Sequence, residues 1–189
     1  YMESSSLARS EWMKVYSLFF NCEELAENLF EEVERNYKAQ TDMAHQLNSQ
    51  NEIFTERLMS GTWYCPGGTS TIAQLIKDAN GIYSFAENGK AGSIPLTFEQ
   101  VFAKTQQAKV WAFTYNGEKD MTMGDLLKEN DRYKALKVVS HGSVYACNAS
   151  KVPFFEETPF RPDWLLHDFI IMLHPNHFQA NQLKYYKKL

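Results

Sequence analysis

A long amphipathic stretch over residues 22–47 constrains the architecture more than any other feature of the sequence. Within CEELAENLFEEVERNYKAQTDMAHQL, Leu25, Leu29, Val33 and Tyr37 recur every four residues on an acidic background. This spacing places the four side chains on one face of an α-helix. The length of the pattern indicates a spine helix, against which other elements pack, rather than a short packing element.

A second helical pattern precedes the spine helix. In SEWMKVYSLFF, apolar residues return at helical spacing, and Ser10 at its start is a candidate N-cap. The pattern breaks near Asn21, where the longer one begins. We therefore predict that residues 1–50 form a helical segment that includes the spine helix.

Beyond residue 50 the pattern changes to alternating strands and helices. The candidate strands cover 53–59, 109–115 and 142–148, and the candidate helices cover 70–80, 97–108, 122–130 and 162–173. Thr97 and Gln100 have the spacing of a capping box, and Pro162 stands at the first position of the last helix. This alternation predicts an α/β fold in which a mixed or parallel sheet is covered by helices. Residues 51–189 are predicted to form one three-layer lobe.

Composition argues against several classes of function. The net charge is −4 and lysine and arginine form no long run, so the sequence lacks the footprint of a nucleic-acid-binding protein. No apolar run is long enough to span a membrane. Histidine, cysteine and carboxylate residues show no metal-ligand spacing, so neither a metal nor a cofactor is predicted. Aromatic residues make up 14% of the chain, which favours a surface that grips a ligand in addition to a core.

The loops that follow the three predicted strands are the candidate binding region. In open α/β sheets, ligands bind beyond the carboxyl ends of the strands. These loops are GTWYCPGGTS (61–70), TYNGEKDMT (114–122) and NASKVPFFEETPFRP (148–162). Two of them are rich in aromatic residues, and Tyr115 stands at the start of the other. The recurrence predicts an aromatic floor of a cleft at this edge of the sheet.

The loop 61–70 is compatible with several functions. Gly67 and Gly68 before a helix would present backbone N–H groups to an anion, but the loop lacks a P-loop lysine, and a tight turn is the simpler interpretation. Cys65 as a nucleophile would need a nearby base, which no local pattern supplies. Trp63 and Tyr64 are adjacent, so in an extended segment they face opposite sides. At least one of them is expected in a cleft or in solvent.

The sequence leaves two further groups of residues with both a functional and a structural interpretation. His174 and His177 would be able to share a metal, although HPNH more often marks the end of a helix. Glu156 and Glu157 together with Arg161 would either bind a polar ligand or form surface ion pairs.

The order of the segments resembles the solute-binding proteins of ABC transporters for iron-siderophores, haem and cobalamin. The segments that carry the resemblance are ARSEWMKVYSLFFNCEELAENLFEEVERNYKAQ, GTWYCPGGTSTIAQLIKDANGIYSF, IPLTFEQVFAKTQQAKVW, DRYKALKVVSHGSVYACN and RPDWLLHDFIIMLHP. The resemblance implies two α/β lobes joined by one long rigid helix, with the ligand between the lobes. It identifies this chain with the spine helix and the C-terminal lobe. A complete member carries another lobe before residue 1, so we expect the N-terminal lobe to be absent and the cleft to be half present.

The resemblance also implies which residues bind the ligand and the permease. The residues carried over to the cleft are Trp63, Tyr64, Gly67, Gly68, Tyr115, Phe154, Phe155, Glu156, Glu157 and Arg161. Glu99 in LTFEQVFAK matches an exposed glutamate that docks onto arginines of the permease. The simpler interpretation of Glu99 is a first-turn carboxylate favoured by the helix dipole.

The expected function is that of the ligand-binding lobe of a periplasmic solute-binding protein, held at the membrane through a lipid anchor outside this chain. It would deliver an iron chelate, haem or corrinoid to an ABC permease and perform no chemistry. Aromatic side chains would stack on the ligand, while Arg161 or loop N–H groups would take its anionic groups. The alternatives are an enzyme that uses Cys65 or the Glu156 and Glu157 pair, and an interaction module whose aromatic surface meets another protein, such as the missing lobe.

Overall fold

A computed structural model describes residue 3, residues 5–48 and residues 50–189 of the chain. The helices are α1 (Ser6–Ser17), α2 (Glu23–His45), α3 (Thr71–Asp78), α4 (Phe98–Lys104), α5 (Met123–Glu129), α6 (Lys137–His141), α7 (Phe154–Glu157) and α8 (Pro162–Leu173). The strands are β1 (Glu52–Thr55), β2 (Leu58–Met59), β3 (Thr62–Cys65), β4 (Ile82–Tyr83), β5 (Ile94–Leu96), β6 (Val110–Tyr115), β7 (Ser143–Asn148) and β8 (Lys187–Lys188). Two short 3₁₀ turns lie at Asp131–Ala135 and Ala180–Gln182.

The predicted long helix is present as α2, which runs for 23 residues. It packs against α1 on one side and α8 on the other. Its buried residues are Ala26, Phe30, Val33, Tyr37 and Ala44. Leu25, by contrast, is 69% exposed, so the buried face is rotated from the stripe that the four-residue repeat indicates. The helix nevertheless supports both α1 and the rest of the fold.

Helix α1 begins earlier than the sequence pattern indicates. The N-cap is Ser5, whose hydroxyl oxygen accepts a hydrogen bond from the Ala8 amide at 3.1 Å. Ser10, the predicted cap, is buried inside the helix and donates its hydroxyl proton to the Leu7 carbonyl at 2.8 Å. The prediction for Ser10 is therefore wrong, because a serine inside a helix can satisfy its hydroxyl on a carbonyl one turn back.

A mostly parallel sheet forms the centre of the lobe, as predicted. Its strand order is β4-β1-β6-β7-β8, and the first four strands are parallel while β8 is antiparallel to β7. Strands β6 and β7 are buried along nearly their whole length, which parallel strands covered by helices require. The predicted strands at 109–115 and 142–148 and the predicted helix at 162–173 are confirmed, as is the capping box of Thr97 and Gln100.

A second, antiparallel sheet of β2, β3 and β5 was not predicted from the sequence. The candidate strand 53–59 is divided between the two sheets, because Glu56 takes a left-handed conformation (φ 66°) after β1. Ser60 and Gly61 then have φ values of 50° and 84°, and they join β2 to β3 as a two-residue hairpin turn. The first half of the predicted loop 61–70 is consequently strand β3.

The C-terminal segment is fixed to the sheet by one buried carboxylate. Asp168 of α8 accepts hydrogen bonds from the backbone amides of Lys184, Tyr185 and Tyr186 at 2.8, 2.8 and 3.2 Å. Burial raises the pKa of Asp168, while these three amides oppose the rise. The carboxylate thereby sets the position from which β8 pairs with β7.

An aromatic cluster connects the two sheets beneath the end of β1. Trp63 is fully buried, with its ring 5.9 Å from Phe54, 5.6 Å from Trp111 and 5.9 Å from Tyr133. The indole N–H of Trp63 donates to the Thr55 carbonyl at 2.9 Å. Trp63 therefore cannot line a cleft as the resemblance implied, because strand β3 turns this side chain inward and its neighbour outward.

We expect Trp63→Ala to destabilise the protein by about 3–5 kcal/mol, because it removes a large buried ring and one buried hydrogen bond. Urea unfolding followed by circular dichroism measures the change. Tyr64→Ala is the matched control, since Tyr64 is 49% exposed on the same strand, and it should cost about 1 kcal/mol or less. Equal effects of the two substitutions would contradict the buried position of Trp63.

Candidate ligand-binding site

A cavity of about 220 Å³ lies at the carboxyl edge of the parallel strands. Parallel strands leave their connecting loops at this edge, so residues distant in sequence converge there. Its walls combine apolar and polar side chains, and the polar groups come from several different elements. The lining residues are Ser6, Arg9, Thr55, Glu56, Thr71, Ile72, Leu75, Thr114, Phe154, Phe155, Thr158, Pro159, Leu165, Phe169 and Tyr186. An apolar pocket with a few convergent polar groups is the usual form of a small-molecule site.

Glu56 is held at this cavity by its backbone. Its amide donates to the Ala112 carbonyl at 3.1 Å, and its carbonyl accepts from the Trp111 indole N–H at 2.7 Å. These bonds fix the left-handed turn, which is uncommon for a residue other than glycine and carries a conformational cost of about 1–2 kcal/mol. A strained backbone maintained by surrounding bonds is a feature that recurs at functional sites.

The electrostatics of the cavity are dominated by Glu56. Burial raises the pKa of this carboxyl from its ordinary value of 4.5 to about 7, and the neighbouring Arg57 partly opposes the rise. Thr55 is 3% exposed, and its hydroxyl oxygen has no hydrogen-bond partner among the described residues. Glu56 is thus the titratable side chain at the end of β1 that borders the cavity, whereas the Thr55 hydroxyl is enclosed by the protein.

Of the predicted site residues, Phe154 and Phe155 lie at this cavity. Their rings meet edge to face with centroids 5.3 Å apart. Phe154 is buried, whereas Phe155 is 59% exposed at the rim. The pair therefore offers one wall residue and one ring that is open to a ligand.

The residues of GTWYCPGGTS do not line the cavity. Tyr64 is half exposed on β3, where it pairs with Pro95. A Cβ at Gly67 would collide with the Lys90 carbonyl, and one at Gly68 would collide with the Ala86 carbonyl. The two glycines are thus explained by close backbone packing against the segment 86–92, and an anion cradle is not needed to account for them.

Tyr115 and Glu157 are engaged in contacts within the protein. Tyr115 is buried, and its hydroxyl accepts from the Met121 amide at 2.7 Å, which orders the loop between them. Glu157 accepts a hydrogen bond from the Tyr185 hydroxyl at 3.0 Å. Glu156 is exposed and does not line the cavity. Of the two glutamates, Glu157 is therefore bonded to the C-terminal segment, and Glu156 is not part of the cavity.

Arg161 connects two helices and is not placed to take an anionic ligand. Its guanidinium contacts Asp163 at 2.7 Å and Glu32 of α2 at 3.0 Å, and it lies 3.8 Å from the centre of the Trp164 ring. These contacts account for its charge and join α8 to α2. The resemblance implied that Arg161 binds the ligand. The ion-pair network corrects this expectation, because the guanidinium is already engaged by Asp163 and Glu32.

The alternative chemistries find little support. Cys65 is buried, and burial followed by the charge of Glu56 raises the pKa of its thiol, so the thiolate that a nucleophile needs is disfavoured. His174 is also buried, with its Nε2 2.9 Å from the Ala79 carbonyl oxygen. Among the described residues, no group of three or more histidine, cysteine or carboxylate side chains is arranged to hold a metal ion.

Several cavity residues were missed by the reasoning from sequence. The sequence pattern places Thr55 and Glu56 inside a strand, and it gives no role to Arg9, which precedes the predicted N-cap Ser10. The available signal was the charged pair Glu56 and Arg57 directly after an apolar run, since a buried strand does not continue through two charges. Nothing in the sequence indicates that the start of α1 returns to this edge of the sheet.

Comparison with known proteins places the chain in a family. A family model described as periplasmic binding protein matches residues 2–150. The chain belongs to this periplasmic binding protein family. Members are solute-binding proteins, and the mostly parallel sheet covered by helices is the fold that their solved structures share.

Two curated relatives of this chain are longer than it is. The uncharacterized lipoprotein MJ0878 of Methanocaldococcus jannaschii is 24% identical over 191 residues, which cover 100% of this chain and 44% of the relative. The uncharacterized protein MJ0642 of the same organism is 23% identical over 197 residues, covering 100% of this chain and 57% of the relative. The chain therefore spans about half the length of the curated relatives that it matches.

Solved structures of the periplasmic binding protein family share the fold. The vitamin B12 binding protein BtuF of Vibrio cholerae matches with a TM-score of 0.69 and 14% identity, covering 94% of this chain and 65% of BtuF. IsdE of S. aureus, solved with heme, matches with a TM-score of 0.68 and 16% identity, covering 90% of this chain and 65% of IsdE.

Within the described ranges, no helix is both long enough and apolar enough to cross a membrane.

We expect Glu56→Gln to stabilise the protein above about pH 7, by about 2 kcal/mol. The folded state binds the Glu56 proton more tightly than the unfolded state, so the wild-type protein loses stability as the pH rises from 4.5 through about 7. The variant lacks this loss, and the difference between the two proteins should vanish in acid.

The free energy of unfolding, measured in urea across this pH range for both proteins, tests the expectation. Glu31→Gln makes the same change at an exposed position of α2 and should leave the pH dependence as in the wild type. A constant difference between wild type and Glu56→Gln at every pH would show that Glu56 titrates normally.

Proposed function

We propose that this chain is the ligand-binding lobe of a periplasmic solute-binding protein that serves an ABC importer. The single observation that carries the proposal is the cavity at the carboxyl edge of the parallel strands, in a chain of the periplasmic binding protein family. Its apolar side chains favour desolvation of a solute, and its polar groups would fix the orientation of that solute.

The proposed solute is an iron chelate, haem or corrinoid. Proteins with this fold include the vitamin B12 binding protein BtuF and IsdE, which was solved with heme. The exposed ring of Phe155 at the rim offers a face on which a planar or apolar part of such a solute would stack. The cavity is smaller than these solutes, so it would take only part of one, and the remainder would lie outside against a second wall.

A further lobe is the proposed source of that second wall. Both named relatives extend well beyond the segment that matches this chain. The turn between α1 and α2 also carries a cluster of exposed apolar side chains, of which Leu18 is 62% and Phe19 and Phe20 are each 79% exposed. Clusters of this kind are typical of contact surfaces. One of these relatives is a lipoprotein by name, which supports placement in the periplasm on a lipid anchor outside this chain.

The proposed function involves binding without catalysis. A binding protein needs a rigid site, and the spine helix α2, packed between α1 and α8, supplies a firm base for one. The enzyme alternative would need an activated group, whereas Cys65 is buried with a raised thiol pKa and Glu157 is bonded to Tyr185. Binding is therefore the function that these side chains favour.

Phe155→Ala should weaken solute binding about tenfold, equivalent to about 1.4 kcal/mol, because it removes the exposed ring at the cavity rim. Titration of the protein with haem, cyanocobalamin and a ferric hydroxamate, followed by tryptophan fluorescence, measures the affinities. Tyr64→Ala is the control, since Tyr64 lies outside the cavity, and it should bind as tightly as the wild type. Failure of all three solutes to bind the wild-type protein would overturn the proposed function.

Glu99 is proposed as a docking residue for the permease. Its side chain is 70% exposed at the start of α4, where it pairs with Arg132, and Arg132 also stacks on Phe98 with 4.1 Å between the guanidinium and the ring centre. Glu99→Arg should leave solute affinity unchanged and lower solute uptake by cells that carry the importer, because it places a cation before the arginines of the permease. Unchanged uptake would contradict the docking role.

A further inference from the structure

We propose that Tyr185 is a positioning residue for solute binding, which acts through Glu157 on the short helix that carries Phe155. The inference rests on the proposed function, because Phe155 lies at the rim of the same cavity. It assigns a role in binding to the C-terminal segment through a side chain that does not itself line the cavity.

The helix that carries Phe155 is too short to hold its own position. Helix α7 comprises only the four residues Phe154–Glu157. It begins after Pro153, and within the described part of the chain no side-chain hydrogen bond caps its N-terminus. A single helical turn is unstable in isolation, because its few hydrogen bonds do not offset the lost chain entropy. Contacts with the rest of the lobe must therefore fix α7 and the Phe155 ring.

Aromatic packing holds α7 against the C-terminal segment. The Phe154 ring lies 5.4 Å from the Tyr185 ring and 6.0 Å from the Tyr186 ring, edge to face in both cases. Tyr186 lines the cavity and lies 6.2 Å from the ring of Phe169 in α8. Because edge-to-face pairs are favourable over a range of ring separations, this packing keeps α7 close without fixing the direction of Phe155.

The directional contact to α7 is the hydrogen bond between Tyr185 and Glu157. The buried Tyr185 donates its hydroxyl proton to Glu157 Oε2 at 3.0 Å, and Lys184 Nζ lies 3.2 Å from the same oxygen. A hydrogen bond to an ionised carboxylate is short, strong and angle-dependent. The Lys184 side chain is 39% exposed, and exposed ion pairs contribute little. Tyr185 is therefore the main restraint on the end of α7.

Tyr185 can restrain α7 because its own backbone is fixed. Asp168 accepts hydrogen bonds from the amides of residues 184–186, at 2.8–3.2 Å. It belongs to α8, a 12-residue helix that packs against α2. A continuous set of contacts thus runs from α8 through Asp168, Tyr185 and Glu157 to the helix of Phe155.

Tyr185→Phe tests the inference, because it removes the hydroxyl and keeps the ring that packs on Phe154. Haem, cyanocobalamin and a ferric hydroxamate are titrated by isothermal titration calorimetry, and the tightest of the three serves as the probe. Its affinity should fall about fivefold in Tyr185→Phe. In the Phe155→Ala background the same change should cost about twofold or less, because the positioned ring is absent. Equal losses in the two backgrounds would overturn the inference.

Tyr37→Phe is the matched control for the loss of a hydroxyl-to-carboxylate bond. Tyr37 is buried and donates to Asp78 Oδ2 at 2.6 Å, but it does not line the cavity. Asp78 is the last residue of α3, whereas the α3 residues at the cavity lie within 71–75. Tyr37→Phe should lower stability and retain the wild-type affinity. An equal loss of affinity in both variants would show a general loosening of the lobe and would overturn the positioning role.

Hydrogen exchange of the solute-free protein separates the inference from the proposed function. The amides of residues 157, 158, 160 and 161 are bonded to carbonyls within this turn, so their exchange reports on its opening. Mass spectrometry should show about fivefold faster exchange in this segment for Tyr185→Phe and no change for Tyr37→Phe. Unchanged exchange would overturn the inference and leave solute binding as proposed. Failure of all three probes to bind the wild-type protein would overturn the proposed function, and the role of Tyr185 in binding with it.

Discussion

Two indole hydrogen bonds determine the geometry on which the candidate site depends. Trp63 and Trp111 donate to the carbonyls of Thr55 and Glu56, at the point where β1 leaves the parallel sheet. Both rings belong to the cluster that joins the two sheets, so these donors cannot move without disturbing the core. A turn of positive φ at Glu56 is thereby stabilised, and the carboxyl is held at the cavity rather than in solvent. Core packing and the geometry of the candidate site therefore depend on the same contacts.

The role of Trp63 illustrates how support and recognition divide between neighbouring residues. Its ring contacts the aromatic cluster and its N–H contacts the backbone of β1, so it would affect a ligand only through Thr55 and Glu56. The residues that reach the cavity come from the ends of other elements, notably α1, α3 and α7. A substitution in the cluster would thus change stability and affinity together, whereas one at the exposed Phe155 should change affinity alone.

Elements with strong local signals could be predicted from the sequence. The amphipathic repeat predicted α2, the apolar runs predicted β6 and β7, and Pro162 indicated the start of α8. The prediction failed where local signals were ambiguous. The run from Ile53 to Met59 is predicted as one strand despite the charges of Glu56 and Arg57, yet it contributes to two sheets because the backbone turns at Glu56. The site was predicted less well than the fold, since Arg9 reaches it through the packing of α1, which no local pattern encodes.

The edges of the central sheet limit what else the lobe can bind. Its two outer strands, β4 and β8, are each two residues long, and β8 consists of Lys187 and Lys188. The three amide bonds to Asp168 hold the segment before β8 in place, and Lys187 also pairs with Asp120 at 2.7 Å. Short, cationic edge strands are poor templates for the addition of a further strand. Both outer strands of the central sheet are therefore short, and the positive charge of β8 in addition opposes edge-to-edge pairing with another copy of the chain.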